Sequence, residues 1–293
     1  MLGTLYPLFL DALNLGKISV GPPYFDAVFV PLMTPALFLM AVGPLSRWKQ
    51  QALPELVVLL RWAAGVAVVT GLVLPFAMGR FSPMVAFGLL LAAWIVLGSA
   101  VTLWQRIRPA GGSALAKLRM QPRGFLGMLL AHVGVAAFVV GVTLVKGYES
   151  EQDVKMDVGD TVQSGPYTLE FKGVENGTGP NYTYARGTLE VRRGSEVLRT
   201  MEPEKRTFLV QTMPMTKAAI DRGLTRDLYV SLGEPVGASA WIVRVYYKPF
   251  VDWIWGGCVL MAAGGLLALS DRRYRLSKST SAAAVGAGAT ASA

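Results

Sequence analysis

The sequence predicts a polytopic α-helical membrane protein with a β-rich external, periplasmic domain inserted between its last two transmembrane helices. Hydrophobic residues make up 53% of the chain and charged residues 16%. They gather in blocks near the ~20 residues that a hydrocarbon core of ~30 Å demands, which excludes an ordinary soluble domain. Between the last two blocks, from Gly147 to Pro249, the pattern changes to short alternating stretches broken by glycines. Basic residues concentrate in the loops of one side, which orients the spans.

Along the chain, residues 1–26 read as an external N-terminal segment. Met1 to Leu10 are apolar but too short to cross, with no basic stretch before them to make a signal peptide, so they read as the stub of an upstream element. Residues 27–146 read as a four-helix transmembrane region with spans at Ala27 to Ser46, Glu55 to Phe76, Phe81 to Trp104 and Gly124 to Val145. Residues 250–270 supply the final helix, and residues 271–293 a basic cytoplasmic tail that is Ala-, Gly- and Ser-rich from Ser279 and therefore expected to be disordered. The loop with Arg106, Arg108, Lys117, Arg119 and Arg123 holds no acid and is assigned to the cytoplasm. Arg47 and Lys49, and Arg272, Arg273, Arg275 and Lys278, fall on the same side if the spans alternate. Lys17, the loop at Arg80 and residues 147–249 are then external.

The net charge of +9 is topological rather than a sign of nucleic acid. Gly147 to Pro249 carries 13 Lys and Arg against 14 Asp and Glu, so the excess of positive charge lies wholly in the rest of the chain. There it anchors loops beside anionic lipid, at order 1 kcal/mol per basic residue near the surface, and no basic patch interleaved with aromatics appears. Cys258, the one cysteine, lies within the last span, forms no internal disulfide and reads as a small apolar side chain.

Within residues 147–249, period-two stretches mark strands at Tyr167, Leu169 and Phe171, at Thr188 to Arg192, at Phe208, Val210 and Thr212, at Leu228 to Leu232, and at Trp241, Val243, Val245 and Tyr247. Such strands predict a small sandwich or barrel. A helical turn is expected over Thr216 to Arg222 with Thr216 as N-cap. Histidine and cysteine are absent from this region, so zinc sites and nucleophile–base pairs of the usual kind cannot be built there, and binding or positioning fits better.

His132, the only histidine, is the leading candidate site residue. It sits in an uncharged run, Gly124 to Val145, that spans roughly 33 Å at 1.5 Å per residue. Two readings compete: a hydrogen bond to a neighbouring helix, or an axial bond to a heme iron, since a neutral imidazole offers one donor and one metal-ligating nitrogen. Gly127, Ala131, Gly134 and Gly141 line an adjacent face suited to close helix packing. Arg61 lies about two turns inside the second span and either snorkels or meets a partner, such as a heme propionate or a further helix. Trp253 and Trp255 mark the bilayer interface, or frame an external heme surface.

Several stretches together resemble the cytochrome c maturation heme lyase family, CcmF, and its relatives in nitrite reductase assembly. They are Gly16-Lys17-Ile18-Ser19-Val20-Gly21-Pro22-Pro23-Tyr24-Phe25, Ala131-His132-Val133-Gly134-Val135-Ala136, Gly179-Pro180-Asn181-Tyr182 and Pro203-Glu204-Lys205-Arg206. Further on come Arg226-Asp227-Leu228-Tyr229-Val230-Ser231-Leu232-Gly233-Glu234, Tyr247-Lys248-Pro249-Phe250-Val251-Asp252-Trp253-Ile254-Trp255 and Asp271-Arg272-Arg273-Tyr274-Arg275. The resemblance covers nearly the whole chain and matches the C-terminal portion of that family.

What the resemblance implies is a C-terminal part or subunit of a cytochrome c-type heme lyase, as a split-gene product or a fragment, in the bacterial inner membrane. Heme is the substrate, attached covalently to apocytochrome c. His132 corresponds to one of two axial ligands of a transmembrane heme b; the other ligand, the external histidines and the tryptophan-rich heme-handling signature lie upstream in the family. The holocytochrome c synthase-type activity is therefore not expected of this chain without the N-terminal part. Implied partners are that part, a heme chaperone, apocytochrome c and a thiol-reducing maturation subunit, with a quinol as the suggested electron donor. The competing readings are a cofactor-free membrane scaffold and a transporter component of an assembly complex, in which His132 would relay protons.

Overall fold

In the computed structural model the chain is described over residues 2–16, 21, 24–46, 52–108, 113–210, 212–237 and 239–271. Lys17, Arg47, Lys49, parts of the first resemblance stretch and the tail beyond Asp271 lie outside these residues. Helix α1 covers Leu2–Ala12. A π-helical turn at Phe25–Phe29 leads into α2, Val30–Val42, which closes in a 3-10 turn at Gly43–Leu45. Then follow α3, Leu53–Ala77, α4, Pro83–Ile107, the short α5, Ala114–Arg119, and α6, Arg123–Tyr148. Ten strands come next, and α7, Val251–Leu269, ends the described chain. Among the described residues, five helical stretches are long and apolar enough to cross a membrane: Phe25–Leu45, Leu53–Ala77, Pro83–Ile107, Arg123–Tyr148 and Val251–Leu269.

The described residues form two compact units. The first is drawn from residues up to Arg80, Leu89–Ala136 and the chain from Leu260. Its core is a small-residue helix contact: Leu60, Ala63 and Ala67 on α3 recur at helical spacing and cluster with Ala41 and Trp94. The Trp94 ring stacks on Phe38 at 5.4 Å and its indole N–H donates to the Phe38 carbonyl at 2.9 Å, which satisfies the one polar group the ring brings inside. Gly98 faces Ala41 so closely that a Cβ would lie 2.5 Å from the alanine methyl.

The second unit comprises Phe81–Gly88 and Ala137–Val259 and contains a two-sheet sandwich. One sheet has the order β1-β10-β9-β8, from Ser150–Met156, Ala240–Pro249, Arg226–Val236 and Ala219–Asp221. The other runs β2-β3-β4-β6-β7, from Thr161–Ser164, Tyr167–Thr178, Tyr182–Arg193, Glu204–Phe208 and Pro214–Lys217, with β5, Glu196–Met201, paired to the far half of β4. Alternate residues point inward, so Leu169, Phe171, Leu189, Val191, Leu228, Val230, Leu232, Val243 and Val245 make one dry core. A bulge between Phe171 and Gly173, with Gly173 at φ 124°, lets the long β3 bend over it.

Two local expectations fail. Residues 214–221 hold strands β7 and β8 rather than a helical turn, because their backbone groups pair with β6 and β9. Ladder bonds outweigh the weak helical preference of the segment. The strand expected at Phe208 to Thr212 ends at Phe208; the chain turns there, with Leu209 N–H bonded to the Asn181 carbonyl and Thr212 at φ 51°. The strand lies instead at Glu204–Phe208, where Arg186 opposite Glu204 fixes the register.

Junctions between helix and sheet are short. α6 ends at Tyr148 and β1 starts at Ser150; β10 ends at Pro249 and α7 starts at Val251. Phe250, between the last two, adopts φ 57° and its N–H bonds the Thr225 carbonyl.

Candidate functional site

His132 lies on α6, partly buried, and its Nδ1 is 2.7 Å from the carbonyl oxygen of Met128, one turn back. A carbonyl only accepts, so Nδ1 carries the proton and donates. The proton of a neutral imidazole is thereby committed, and Nε2 keeps a free lone pair. This is the arrangement found in metal-bound histidine, where the distal N–H goes to a carbonyl or carboxylate and fixes the ring. The hydrogen bond runs within the helix rather than to a neighbour, so the ring moves with its own helix.

Among the described residues there is no group of three or more His, Cys, Asp or Glu able to hold a metal ion. One nitrogen does not build a tetrahedral zinc site, but it suffices for one axial position on an iron already held by a porphyrin. The donor set at His132 therefore fits the heme that the resemblance implies.

Around His132 the first unit is packed at backbone distance. A Cβ on Gly127 would lie 2.4 Å from the Gly264 carbonyl and 2.6 Å from Ala268 N; one on Gly264 would lie 2.6 Å from Ala131 N and from the Gly127 carbonyl. The small residues Gly127 and Ala131 on α6 thus meet Gly264 and Ala268 on α7, four residues apart on each helix. At the start of α6, Gly124 N–H donates to Oδ2 of Asp271 at 2.8 Å, just past the end of α7. Asp271 is 7% exposed. Sequence reasoning gave Asp271 no role, although an acid directly after an apolar span is a visible irregularity.

Arg61 is exposed on α3, its guanidinium 5.7 Å from the Trp62 ring centroid. The indole N–H of Trp253 donates to the Leu224 carbonyl at 3.1 Å, tying the first turn of α7 to the loop before β9. Trp255 stays exposed.

Several resemblance stretches prove to be ionic fasteners of the sandwich. Glu204 is 3% exposed and accepts from Arg186 at 3.0 Å and Arg206 at 2.7 Å, with Lys217 at 3.5 Å. Burial alone would raise its carboxyl, but Arg206, Lys217 and Arg186 hold it below the usual glutamate range. Arg206 and Arg186 also lie over the rings of Tyr182 and Tyr184. Arg226 donates to the Tyr167 hydroxyl at 2.8 Å and pairs with Asp221 at 2.6 Å, and Asp221 also pairs with Arg199. Burial, and then the nearby Asp252 carboxylate, push the Asp227 carboxyl above the usual aspartate range. An open cleft of about 550 Å³ is lined by Asn176, Thr178, Thr183, Lys205, Thr207 and Trp241 among others. Its one cation, Lys205, is paired with exposed Glu234.

Comparison with known proteins agrees with this architecture. Residues 147–249 match the model of the family described as the CcmF C-terminal beta-sandwich. The cytochrome c-type biogenesis protein CcmF of Pseudomonas aeruginosa is 45% identical over 280 residues, 96% of this chain and 42% of that protein. CcmF of Escherichia coli is 40% identical over 276 residues, 94% of this chain and 41% of the relative, and the NrfE protein of Haemophilus influenzae 32% over 283 residues, 94% and 42%. The chain thus spans about two-fifths of the length of these relatives. A solved structure, of a cytochrome c heme lyase CcmF, superposes with a TM-score of 0.71 at 23% identity, covering 92% of this chain and 42% of the other, and shares the fold.

Proposed function

We propose that this chain, which matches the C-terminal portion of the CcmF/NrfE family along almost its whole length, serves as the C-terminal part of a cytochrome c-type heme lyase. In this reading His132 gives one axial nitrogen to a transmembrane heme b, and the second ligand comes from the N-terminal part. The observation that carries it is the 2.7 Å hydrogen bond from Nδ1 to the Met128 carbonyl, which in a neutral imidazole leaves the lone pair on Nε2. When bound, a b-type heme supplies one-electron transfer, which thioether formation on ferrous heme requires. The chain's own contribution is to orient the imidazole and to exclude water around it with an apolar helix.

Residues 147–249 lie in the periplasm in this reading, the loop 108–122 in the cytoplasm, and the whole in the inner membrane. The sandwich then serves as a surface for partners: apocytochrome c, a heme chaperone and a thiol-reducing maturation subunit, with a quinol as electron donor. Binding or positioning suits the sandwich in this reading, its cleft being lined by polar side chains and a lysine already paired with Glu234.

The test is the pyridine hemochrome spectrum of this chain co-purified with the N-terminal part of the lyase. Native protein is expected to carry b-type heme, and His132→Ala to lose it at equal protein level. Unchanged heme content in His132→Ala would reduce the residue to packing and favour a scaffold without a cofactor.

A further inference from the structure

We infer that Asp271 is a positioning residue for His132, acting by holding the start of α6 against the end of α7. The inference rests on the reading of His132 as an axial ligand. It begins with the ring itself: because Nδ1 donates to the backbone of its own helix, the direction of Nε2 is set by where α6 stands. Ligand geometry at a functional site has to be held within ~0.5 Å and ~10–20°. Some contact must therefore fix the height and rotation of α6.

The helix pair α6–α7 supplies two such contacts. At one, Gly264 lies against Ala131 N and the Gly127 carbonyl, with no room for a single added carbon. Ala131 is the residue before His132, so this crossing sits at the ligand's own turn. A smooth crossing of small residues fixes separation but lets one helix slide along the other. The second contact removes that freedom: the buried carboxylate of Asp271 accepts the Gly124 N–H at 2.8 Å, seven residues beyond Gly264. Gly124 N–H is one of the four amides that a helix start leaves without an internal partner, and a carboxylate there is favoured by the helix dipole. Gly124 lies roughly 12 Å along the axis from His132, at 1.5 Å per residue. One contact near the ring and one two turns away together set both height and rotation.

The experiment uses this chain co-purified with the N-terminal part, as native protein and as Asp271→Ala, Asp271→Asn, Gly264→Ala and His132→Ala. Heme b per protein, the low-spin heme resonance and the midpoint potential are read together with amide exchange over the first turns of α6. Asp271→Ala is expected to speed exchange at Gly124 and its neighbours, to lower heme retention by about tenfold or more and to shift the resonance of what remains. Asp271→Asn keeps an oxygen acceptor for the Gly124 N–H and should restore both signals towards native. Should Asp271→Ala fail to accumulate, Gly264→Ala carries the test, and it should give the same heme shift by displacing the backbone at Ala131. Faster exchange with unchanged heme content, resonance and potential would overturn the inference, as would Asp271→Asn behaving like Asp271→Ala. Retention of heme in His132→Ala would instead defeat the ligand reading, and the exchange data would still report whether Asp271 holds α6.

Discussion

Glu204 shows how one side chain organises a sheet. A carboxylate 3% exposed survives burial because two arginines and a lysine surround it: Arg206 from its own strand β6, and Arg186 and Lys217 from the flanking strands β4 and β7. Glu204→Ala leaves those cations facing one another and is expected to destabilise the sandwich by about 3 kcal/mol. The measurement is amide exchange along β4 and β6 in the whole chain, where native-like protection would refute it. Glu204 binds fewer protons folded than unfolded, because its carboxyl is held below the ordinary glutamate value of 4.5. Its stabilisation is full above that value and declines as pH falls through its lower, folded value. Asp227 acts in the opposite sense: burial and Asp252 raise its carboxyl, so its contribution is greatest at low pH and is lost as pH rises through the folded value. Acid unfolding of the sandwich should therefore become less steep in Glu204→Gln and steeper in Asp227→Asn, read from melting temperature against pH. Both residues lie in stretches that carry the resemblance, but their ionic roles were not legible in the sequence, since an acid among bases also describes an ordinary solvated face.

At the scale of the element, turns decide which expectations succeed. The β2–β3 connection is the two-residue turn Gly165–Pro166, with Gly165 at φ 57° and its α-carbon against the Tyr247 ring, where an added Cβ would lie 2.9 Å away. Gly165→Ala combines a left-handed backbone, costing about 1–2 kcal/mol, with a displaced ring. Lower melting temperature and weakened protection in β2 are expected, and an unchanged melt would show that the ring yields freely. Alternation made β3, β9 and β10 legible because one face of each is fully buried. β1, β5 and β7 were not legible: each is an edge strand or pairs with one partner only, and β5 and β7 are exposed over most of their length. An exposed edge imposes no alternation, so pairing with distant chain decides its state. The five membrane helices were legible from length and hydropathy, whereas the aromatic cluster was read as an interface or as the frame of an external heme surface, and the Trp253 bond to Leu224 was not foreseen. Trp253→Phe keeps the ring and removes that N–H; faster exchange in the loop at Gly223–Thr225 is expected, and unaltered exchange would make the ring alone sufficient.

For the molecule as a whole, orientation is the testable consequence of its charge distribution. In a Cys258→Ser background, Ser195→Cys in the turn between β4 and β5 should react with a membrane-impermeant thiol reagent applied to spheroplasts. Ser113→Cys, at the start of α5, should react only after permeabilisation. The reverse pattern would invert the topology. Of the candidate site, His132 was legible because one ionisable group in an apolar run is conspicuous, while its hydrogen bond to Met128 and the Asp271 cap depend on three-dimensional closeness that no spacing displays. The register of β1 on β10 has its own consequence. Ser150 lies opposite Tyr247, so the chain departs from α6 and comes back to α7 at adjacent points. The sandwich is thus a closed detour: cut out between Glu149 and Phe250 and bridged by a few residues, it would leave two helices already close enough to be joined by an ordinary tight loop. Such an arrangement lets the β cassette be swapped, enlarged or discarded by recombination without respecifying the two helices that carry it.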